Sequence, residues 1–250
     1  MAVPEGIEHV LRRFETRGPL SPEDREAVRA LPFHPRSLEP AAYLTREGEP
    51  PEMCALLLGG FAYRHKVTGE GERQIVSVHM RGEFLDLQNS FLDVADHNVQ
   101  ALTRCEVAMV PVSALRKLGE DHPRVAKAMW IETLIEAAIF REWIVNVGRR
   151  DSISRISHLL CEFALRLEAA GLAVDHRYEM PMTQEQIADC TGLTPVHVNR
   201  VLKELGRMGL IDREKRAVSI KQWDRLKQIG DFNTRYLHLH AGGPTNIAAR

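Results

Sequence analysis

Apolar positions recur at helical spacing from Ile7 to Phe14. A second short helix is signalled at Ser21, where SPED supplies a hydroxyl N-cap, a proline at the first helical position and early acids. From about Ser37 to Val112 the rhythm changes to runs such as CALLLGGFAYRHKV, RQIVSVHM, NVQAL and EVAMVPV, separated by GEPP, TGEGE, RGE and DVADH. Runs of this kind, punctuated by Gly, Pro and Asp turns, predict many short strands, and a closed sandwich or roll leaves few strand edges exposed. After Ser113 the strand pattern stops, and from Pro123 to about Val147 the chain has the length of a helix of about seven turns. Its apolar residues, among them Val125, Trp130, Leu134, Ile139, Trp143 and Ile144, are spread around much of the circumference. A helix apolar on more than one face must be buried on more than one side. The roll can cover one side and a second copy of the chain the other, with Trp130, Ile131, Leu134, Ile135 and Ala138 as the expected pairing residues. No strict heptad separates this from burial of both faces within one chain. Gly148 and the following RRD break the helix, and Ser152 opens another that runs to Gly171.

The most informative stretch is Met182 to Ile211, MTQEQIADCTGLTPVHVNRVLKELGRMGLI. Thr183 can cap a first helix, with Gln186 three residues on to complete a capping box. Ile187 and the small Ala188 face inward, and Gly192 stands where a sharp turn most needs positive φ. Thr194 caps a second helix with Pro195 at its first position, and Val198, Val201, Leu202 and Leu205 form its inner stripe up to Gly209. Val196, His197, Asn199, Arg200 and Lys203 are left outward near the helix start, the part that enters the major groove in helix-turn-helix proteins. Arg200 has the fork geometry for guanine O6 and N7, Val196 can touch a thymine methyl, and Asn199 or His197 can meet base edges or phosphates. Lys203, Thr183, Gln184 and Thr194 are placed for phosphate contacts. LIDREKRAVSI then reads as two short strands about a charged turn at Glu214 to Arg216, the hairpin of a wing.

The expected fold class is therefore α+β. Its spans are N-terminal helices at 1–36, a β-roll effector or sensor domain at 37–120, a dimerisation helix at 121–148, a winged helix-turn-helix at 149–230 and a flexible tail at 231–250.

Charge sharpens this picture. Charged residues are 27% of the chain and the net charge is −1, which argues against a wholly basic nucleic-acid coat, yet basic residues exceed acidic ones between Pro181 and Gly230. The four cysteines, Cys54, Cys105, Cys161 and Cys190, are isolated, which excludes zinc spacings and gives no sign of a disulfide framework. The N-terminus has no signal-peptide pattern and no run approaches the ~18 apolar residues of a membrane span, so a cytoplasmic protein without membrane contact is expected. A metal-dependent enzyme of the roll would need His-x-His with a nearby Glu, and the roll has none; His238 and His240 lie in the tail. No Ser-His-Asp order, Gly-rich phosphate loop or HExxH appears, so no catalytic residue, metal or cofactor is expected.

The order of these pieces resembles the Crp/Fnr family of bacterial regulators over roughly residues 20 to 228. The resemblance is most specific in Thr183 to Ile211, in RGEFLDL at Arg81 to Leu87 and in TRCEVAMVP at Thr103 to Pro111. It implies an effector domain in the roll, a homodimer through the long helix, double-stranded DNA as partner and contact with RNA polymerase. The effector pocket it implies involves Gly82, Glu83, Asp96 and His97. Cyclic-AMP-binding members carry an Arg-Ser or Arg-Thr pair where this chain has Ala95 and Asp96, so the phosphate-binding cation is gone and an acid replaces the hydroxyl. An unidentified small-molecule effector is expected instead, with a cyclic nucleotide, or haem held by His79, His97 or Met80, as the alternative. The N-terminal cysteines of iron–sulfur members are lacking. Many members have Glu where Val196 stands, which implies a different base at one position, whereas Arg200 matches the family's base-reading arginine.

Overall fold

A computed structural model describes residues 6–239. Two helices lead in, α1 (Ile7–Glu15) and α2 (Pro22–Arg29). The Ser21 cap forms as the sequence predicts, with Asp24 N donating to Ser21 Oγ at 3.2 Å and Ser21 N donating to Asp24 at 2.8 Å. The same Asp24 carboxylate is buried and accepts from Arg124 Nε at 2.6 Å, which ties α2 to the start of the long helix. Burial opposes its ionisation, but Arg124 and the Ser21 amide hold it well below the usual carboxylate range.

The strands make two antiparallel four-stranded sheets. One runs in the order β1 (His34–Leu38), β8 (Cys105–Pro111), β3 (Met53–Gly59) and β6 (Phe84–Leu85). The other runs β2 (Tyr43–Thr45), β7 (Asn98–Ala101), β4 (Ala62–Val67) and β5 (Arg73–His79). In β3, Ala55 and Leu57 point between the sheets with Val99, Ala101 and Val107, while Cys54 and Leu56 point outward against α1. The unbroken apolar run CALLL is thus a strand buried on both faces. Gly60 turns β3 into β4 at φ +79°, and a Cβ there would lie 2.2 Å from the Arg104 carbonyl oxygen, so no other residue fits.

The helical stretch after the roll is two helices, α3 (Val112–Asp121) and α4 (Pro123–Arg149). His122 between them leaves the helical region (φ −125°, ψ 81°), as a residue before proline tends to do. Val125, Ala128 and Met129 pack with α1 and α3, whereas Ile135, Ala138, Ile139 and Trp143 pack with the roll and the C-terminal half. Ile135 and Ala138 are therefore buried within the chain, a correction to their expected pairing role: they fall on the inner side of α4. Trp130 (64% exposed), Leu134 and Ile144 (71%) face out.

After α5 (Ser152–Ala169), capped by Asp151, come β9 (Arg177–Glu179), α6 (Gln184–Thr191), α7 (Pro195–Arg207), β10 (Ile211–Glu214), β11 (Ala217–Ile220) and α8 (Trp223–Ile229). The three strands form a sheet in the order β10, β11, β9. The tail expected to be flexible from residue 231 is corrected for its described part. Phe232, Tyr236 and Leu237 are buried, and Tyr236 donates to Glu162 at 2.8 Å and meets His158 Nε2 at 2.9 Å. Three aromatic or apolar anchors suffice to dock a segment too short to show periodicity. The rest of that tail, 240–250 with His240, lies outside the described residues.

Candidate nucleic-acid interface

The helix-turn-helix is α6, a turn at Gly192 and α7. Thr183 and Gln186 close the capping box, with Thr183 N donating to Gln186 Oε1 at 2.8 Å and Gln186 N to Thr183 Oγ1 at 3.2 Å. Gly192 sits at φ +64° and ψ 39°, the left-handed region that ends α6 sharply. His197 N donates to Thr194 Oγ1 at 3.3 Å, capping α7. Val198, Val201, Leu202 and Leu205 are buried against α5 and α6, so one face of α7 is fixed to the core.

The eight expected residues, two at the start of α6 and six at the cap and on α7, fall into two groups. Thr183, Thr194, Val196, Arg200 and Lys203 are exposed, Val196 by 81%. Among the described residues neither Arg200 nor Lys203 has a hydrogen bond or ion pair. Gln184, His197 and Asn199 are half-buried: Asn199 Nδ2 donates to Gln184 Oε1 at 3.1 Å, and His197 Nε2 lies 3.0 Å from Ser152 Oγ. The wing hairpin turns at Lys215 (φ +53°), and Arg216 Nη2 donates to Pro181 O at 2.8 Å, binding the wing to the entrance of α6. Arg213 and Lys215 are exposed on it. β9, which the sequence does not announce, pairs with β11 through only three residues around the buried Tyr178.

α6 also lies against β5, the outer strand of the second sheet. Arg73 Nε donates to Asp189 Oδ2 at 2.7 Å, and Gln74 Nε2 donates to the Asp189 carbonyl oxygen at 2.6 Å. These partners lie more than a hundred residues apart in the chain, and no local pattern points to them.

A second site lies between β4, β5, the segment 88–97 and the C-terminal half of α4, a cavity of about 780 Å³. Ile75, Val76, Leu92, Phe140 and Ile144 give it apolar walls. In its polar floor, Asp86 accepts from Arg64 Nη2 at 2.6 Å and pairs with His97 Nε2 at 2.8 Å, and Arg64 Nη1 donates to Glu136 at 2.8 Å. Burial opposes ionisation of Asp86, but Arg64 and His97 hold its carboxyl well below the usual range. Asp96 and His97 do reach this cavity; Gly82 and Glu83 do not, which corrects the expected four-residue pocket. Gly82 turns at φ +88°, and Glu83, which follows it, bonds outside this cavity. There it meets Arg13 at 3.3 Å, Arg166 at 3.4 Å and His79 at 3.2 Å. Both ring nitrogens of His79 and of His97 are engaged, His79 with Ser77 and Glu83 and His97 with Asp86 and Asp96, and Met80 is buried. Among the described residues no cluster of three or more His, Cys, Asp or Glu is arranged to hold a metal, and burial pushes the Cys54, Cys161 and Cys190 thiols up.

A β-roll with a cavity beside a long helix, followed by a doubly capped helix-turn-helix with a wing, defines the class of DNA-binding transcription regulators. Two family profiles match the chain, the cyclic nucleotide-binding domain over residues 35–122 and the Crp-like helix-turn-helix domain over residues 154–229. The chain belongs to the Crp/Fnr family, and it is a transcription regulator rather than an enzyme. It is similar to a probable transcriptional activator of Rhizobium leguminosarum bv. viciae, 24% identical over 215 residues that span 86% of each chain. It is also similar to the transcriptional activatory protein AadR of Rhodopseudomonas palustris, 29% identical over 78% of this chain and 80% of the relative. Among solved structures, FixK2 from Bradyrhizobium japonicum shares the fold at a TM-score of 0.72 with 24% identity, covering 80% of this chain and 98% of FixK2. A CooA mutant from Carboxydothermus hydrogenoformans does so at 0.65 with 17% identity, over 79% of this chain and 88% of CooA. Among the described residues no helix is long and apolar enough to cross a membrane.

Proposed function

We propose that the protein binds a palindromic promoter site as a homodimer, pairing along the outer face of α4 and reading bases with the first turns of α7. The carrying observation is the division of α7 into a face locked to the core and a face on which Val196, Arg200 and Lys203 stand exposed. Thr183 and Thr194, at the two helix N-termini, suit phosphate oxygens, and Gln184, His197 and Asn199 form a hydrogen-bonded border around Arg200. The exposed Arg213 and Lys215 of the wing extend the basic surface.

Pairing is supported by the spacing of Trp130, Leu134, Ala137, Arg141 and Ile144. It approximates the 3.5-residue repeat of a coiled-coil seam, and three of the five are large exposed apolar side chains. On this reading 37–120 is the sensor, 121–148 the pairing helix and 149–230 the DNA-binding part, all acting in the cytoplasm. The names of the Rhizobium relative and of the Pseudomonas aeruginosa activator Anr support activation of transcription, which we read as contact of the bound protein with RNA polymerase. The cavity beside α4 takes an effector other than a cyclic nucleotide, because its three basic side chains are already matched, Arg64 and His97 by Asp86, Glu136 and Asp96, and Lys66 by Glu47 and the Asp96 carbonyl oxygen, which leaves no spare cation for a phosphate.

The test is selection of bound sequences from random duplexes with the full chain, followed by binding at several salt concentrations and sedimentation of the free protein. The expected result is an inverted repeat with half-sites ~34 Å apart, a linear fall of log affinity with log salt and a dimer. A single unrepeated site bound by a monomer would remove the proposal. Calorimetry with cyclic AMP is expected to give no saturable heat.

A further inference from the structure

A second cavity, of about 610 Å³, opens on another side of α4, between α1, the turn at Arg81, the end of α5 and the segment 237–239. Its volume is in the range of small-molecule sites. Five guanidinium groups line it, those of Arg12, Arg13, Arg17, Arg81 and Arg166, against two carboxylates, Glu83 and Glu168. Neither carboxylate is spare. Glu83 is shared by Arg13 and Arg166, and Glu168 accepts from the His176 backbone N at 2.6 Å and lies 2.9 Å from its ring Nδ1. Just behind the lining, Glu132 serves Arg13 and Arg17 together, and Glu162 accepts from Arg166 Nη1 at 3.1 Å. Arg81 is left with no carboxylate: its Nη2 donates to the Ala170 carbonyl oxygen at 2.9 Å and its Nε is buried without a partner. Arg12 is exposed at the mouth. Arg13, Arg17 and Arg166 are thus matched, and Arg81 and Arg12 carry the charge of the cavity that no carboxylate answers; two like charges on one cavity repel unless an anion joins them, and a buried guanidinium N–H without an acceptor is costly. Ile135, Ile139 and Leu237 supply the apolar remainder of the wall.

We propose that this cavity binds a small organic anion, its phosphate or carboxylate head on Arg81 and Arg12 and its apolar body against Ile135, Ile139 and Leu237. Guanidinium forks match either oxyanion bidentately, which is the chemistry the two head groups share. The ligand bridges α1 and the roll turn on one side to the end of α5 and the C-terminal segment on the other. It therefore stabilises one placement of the DNA-binding half relative to the roll, and by linkage DNA and ligand alter each other's affinity by the same factor. The site is separate from the cavity assigned above to an effector, so failure of either leaves the other standing.

Calorimetry and thermal melts on the full chain, with phenyl phosphate, benzoate and inorganic phosphate as probes and sodium chloride at matched ionic strength as control, test it. The expected result is saturable binding of one phenyl phosphate or one benzoate per chain in the millimolar range, tighter than inorganic phosphate, with a raised melting temperature. Whichever of the two binds identifies the head group. Arg81→Ala should weaken binding roughly tenfold to a hundredfold, the loss of one charged hydrogen-bonding group. Arg12→Glu, an exposed change that leaves the packed side chains alone, should weaken it at least about tenfold even where Arg81→Ala melts early. No saturable heat with either organic probe, an effect reproduced by sodium chloride, or unchanged affinity in Arg12→Glu would overturn the proposal.

Discussion

Arg200 stands in the second turn of α7, exposed and without a partner among the described residues, while its neighbour Asn199 is turned toward Gln184. A guanidinium so placed is ready to reach a guanine without first giving up an internal bond. Arg200→Ala is expected to cost about 1–3 kcal/mol on the selected site and relax discrimination at one guanine, whereas Lys203→Ala should weaken all duplexes alike and flatten the salt slope. Gel-shift or anisotropy titrations on specific and random DNA separate the two, and equal losses on both DNAs for Arg200→Ala would deny it a base. Arg200 was legible in the sequence because two caps and an apolar stripe fix which way each residue of α7 points. Glu83 was not, because its partners Arg13 and Arg166 lie 70 and 83 residues away and no periodicity links them. His65 was equally hidden. It lies on β4 between the rings of Tyr43 and Tyr63, its Nδ1 buried without a partner, and burial together with Arg73 lowers its pKa to about 4. Native His65 therefore stays neutral below the unfolded value of 6.5, and the unfolded chain takes up the proton that the native chain refuses. His65 should account for about 2 kcal/mol of the stability lost as pH drops from the unfolded pKa to about 5, above the range where the paired carboxylates begin to protonate. His158, lowered likewise by burial, adds its own share in wild type and variant alike. Urea unfolding of wild type and His65→Phe across this window is the measurement, and parallel curves would mean that His65 charges in place.

At the scale of elements, α4 shows what a helical wheel can and cannot decide. The abundance of apolar residues around it announced that more than one face is covered, yet Ile135 and Ala138 belong to the inner side and Trp130, Leu134 and Ile144 to the outer. The distinction depends on which way the roll and α5 approach, and that is a property of the assembled chain. Two variants one residue apart test it. Ile135→Ala should lower the unfolding free energy by about 2–4 kcal/mol, the cost of a cavity in a packed core, and leave the assembly state unchanged. Leu134→Asp should leave the protomer folded, because its side chain is half exposed, but raise the dimer dissociation constant at least about tenfold by burying a carboxylate in an apolar seam. Sedimentation and urea unfolding at fixed protomer concentration read both effects, and a stable Leu134→Asp dimer would move the pairing face elsewhere. The break at His122 was signalled by Pro123, but the docking of Phe232, Tyr236 and Leu237 was not, since a single 3₁₀ turn, Arg235–Leu237, has no rhythm to detect.

Across the whole molecule, one of the side chains that join the roll to the helix-turn-helix also lines the cavity beside α4. Gln74 on β5 lines the cavity beside α4, and its amide donates to the Asp189 carbonyl oxygen of α6, while Arg73 next to it holds the Asp189 carboxylate. A ligand in the cavity would press on the strand that carries this contact, which gives a change at the roll a route to α6 other than the backbone of α4 and α5. The contact also restrains the orientation of the recognition helix. A dimer on a palindrome needs its two copies of α7 one helical turn of DNA apart, and freedom about the joint between roll and DNA-binding half has to be given up on binding. If the docked arrangement is the one that fits DNA, releasing it with the pair Arg73→Ala and Gln74→Ala should weaken binding to the selected site roughly tenfold, an ordering cost near that of one or two immobilised side chains. The same variant should exchange the backbone amides of 184–191 faster than wild type, which shows that α6 has come free of β5. Tighter DNA binding with the same faster exchange would reverse the sign of the contact: the docked state would then hold α7 away from DNA, and an effector in the cavity would act by breaking the bond from Gln74 to Asp189.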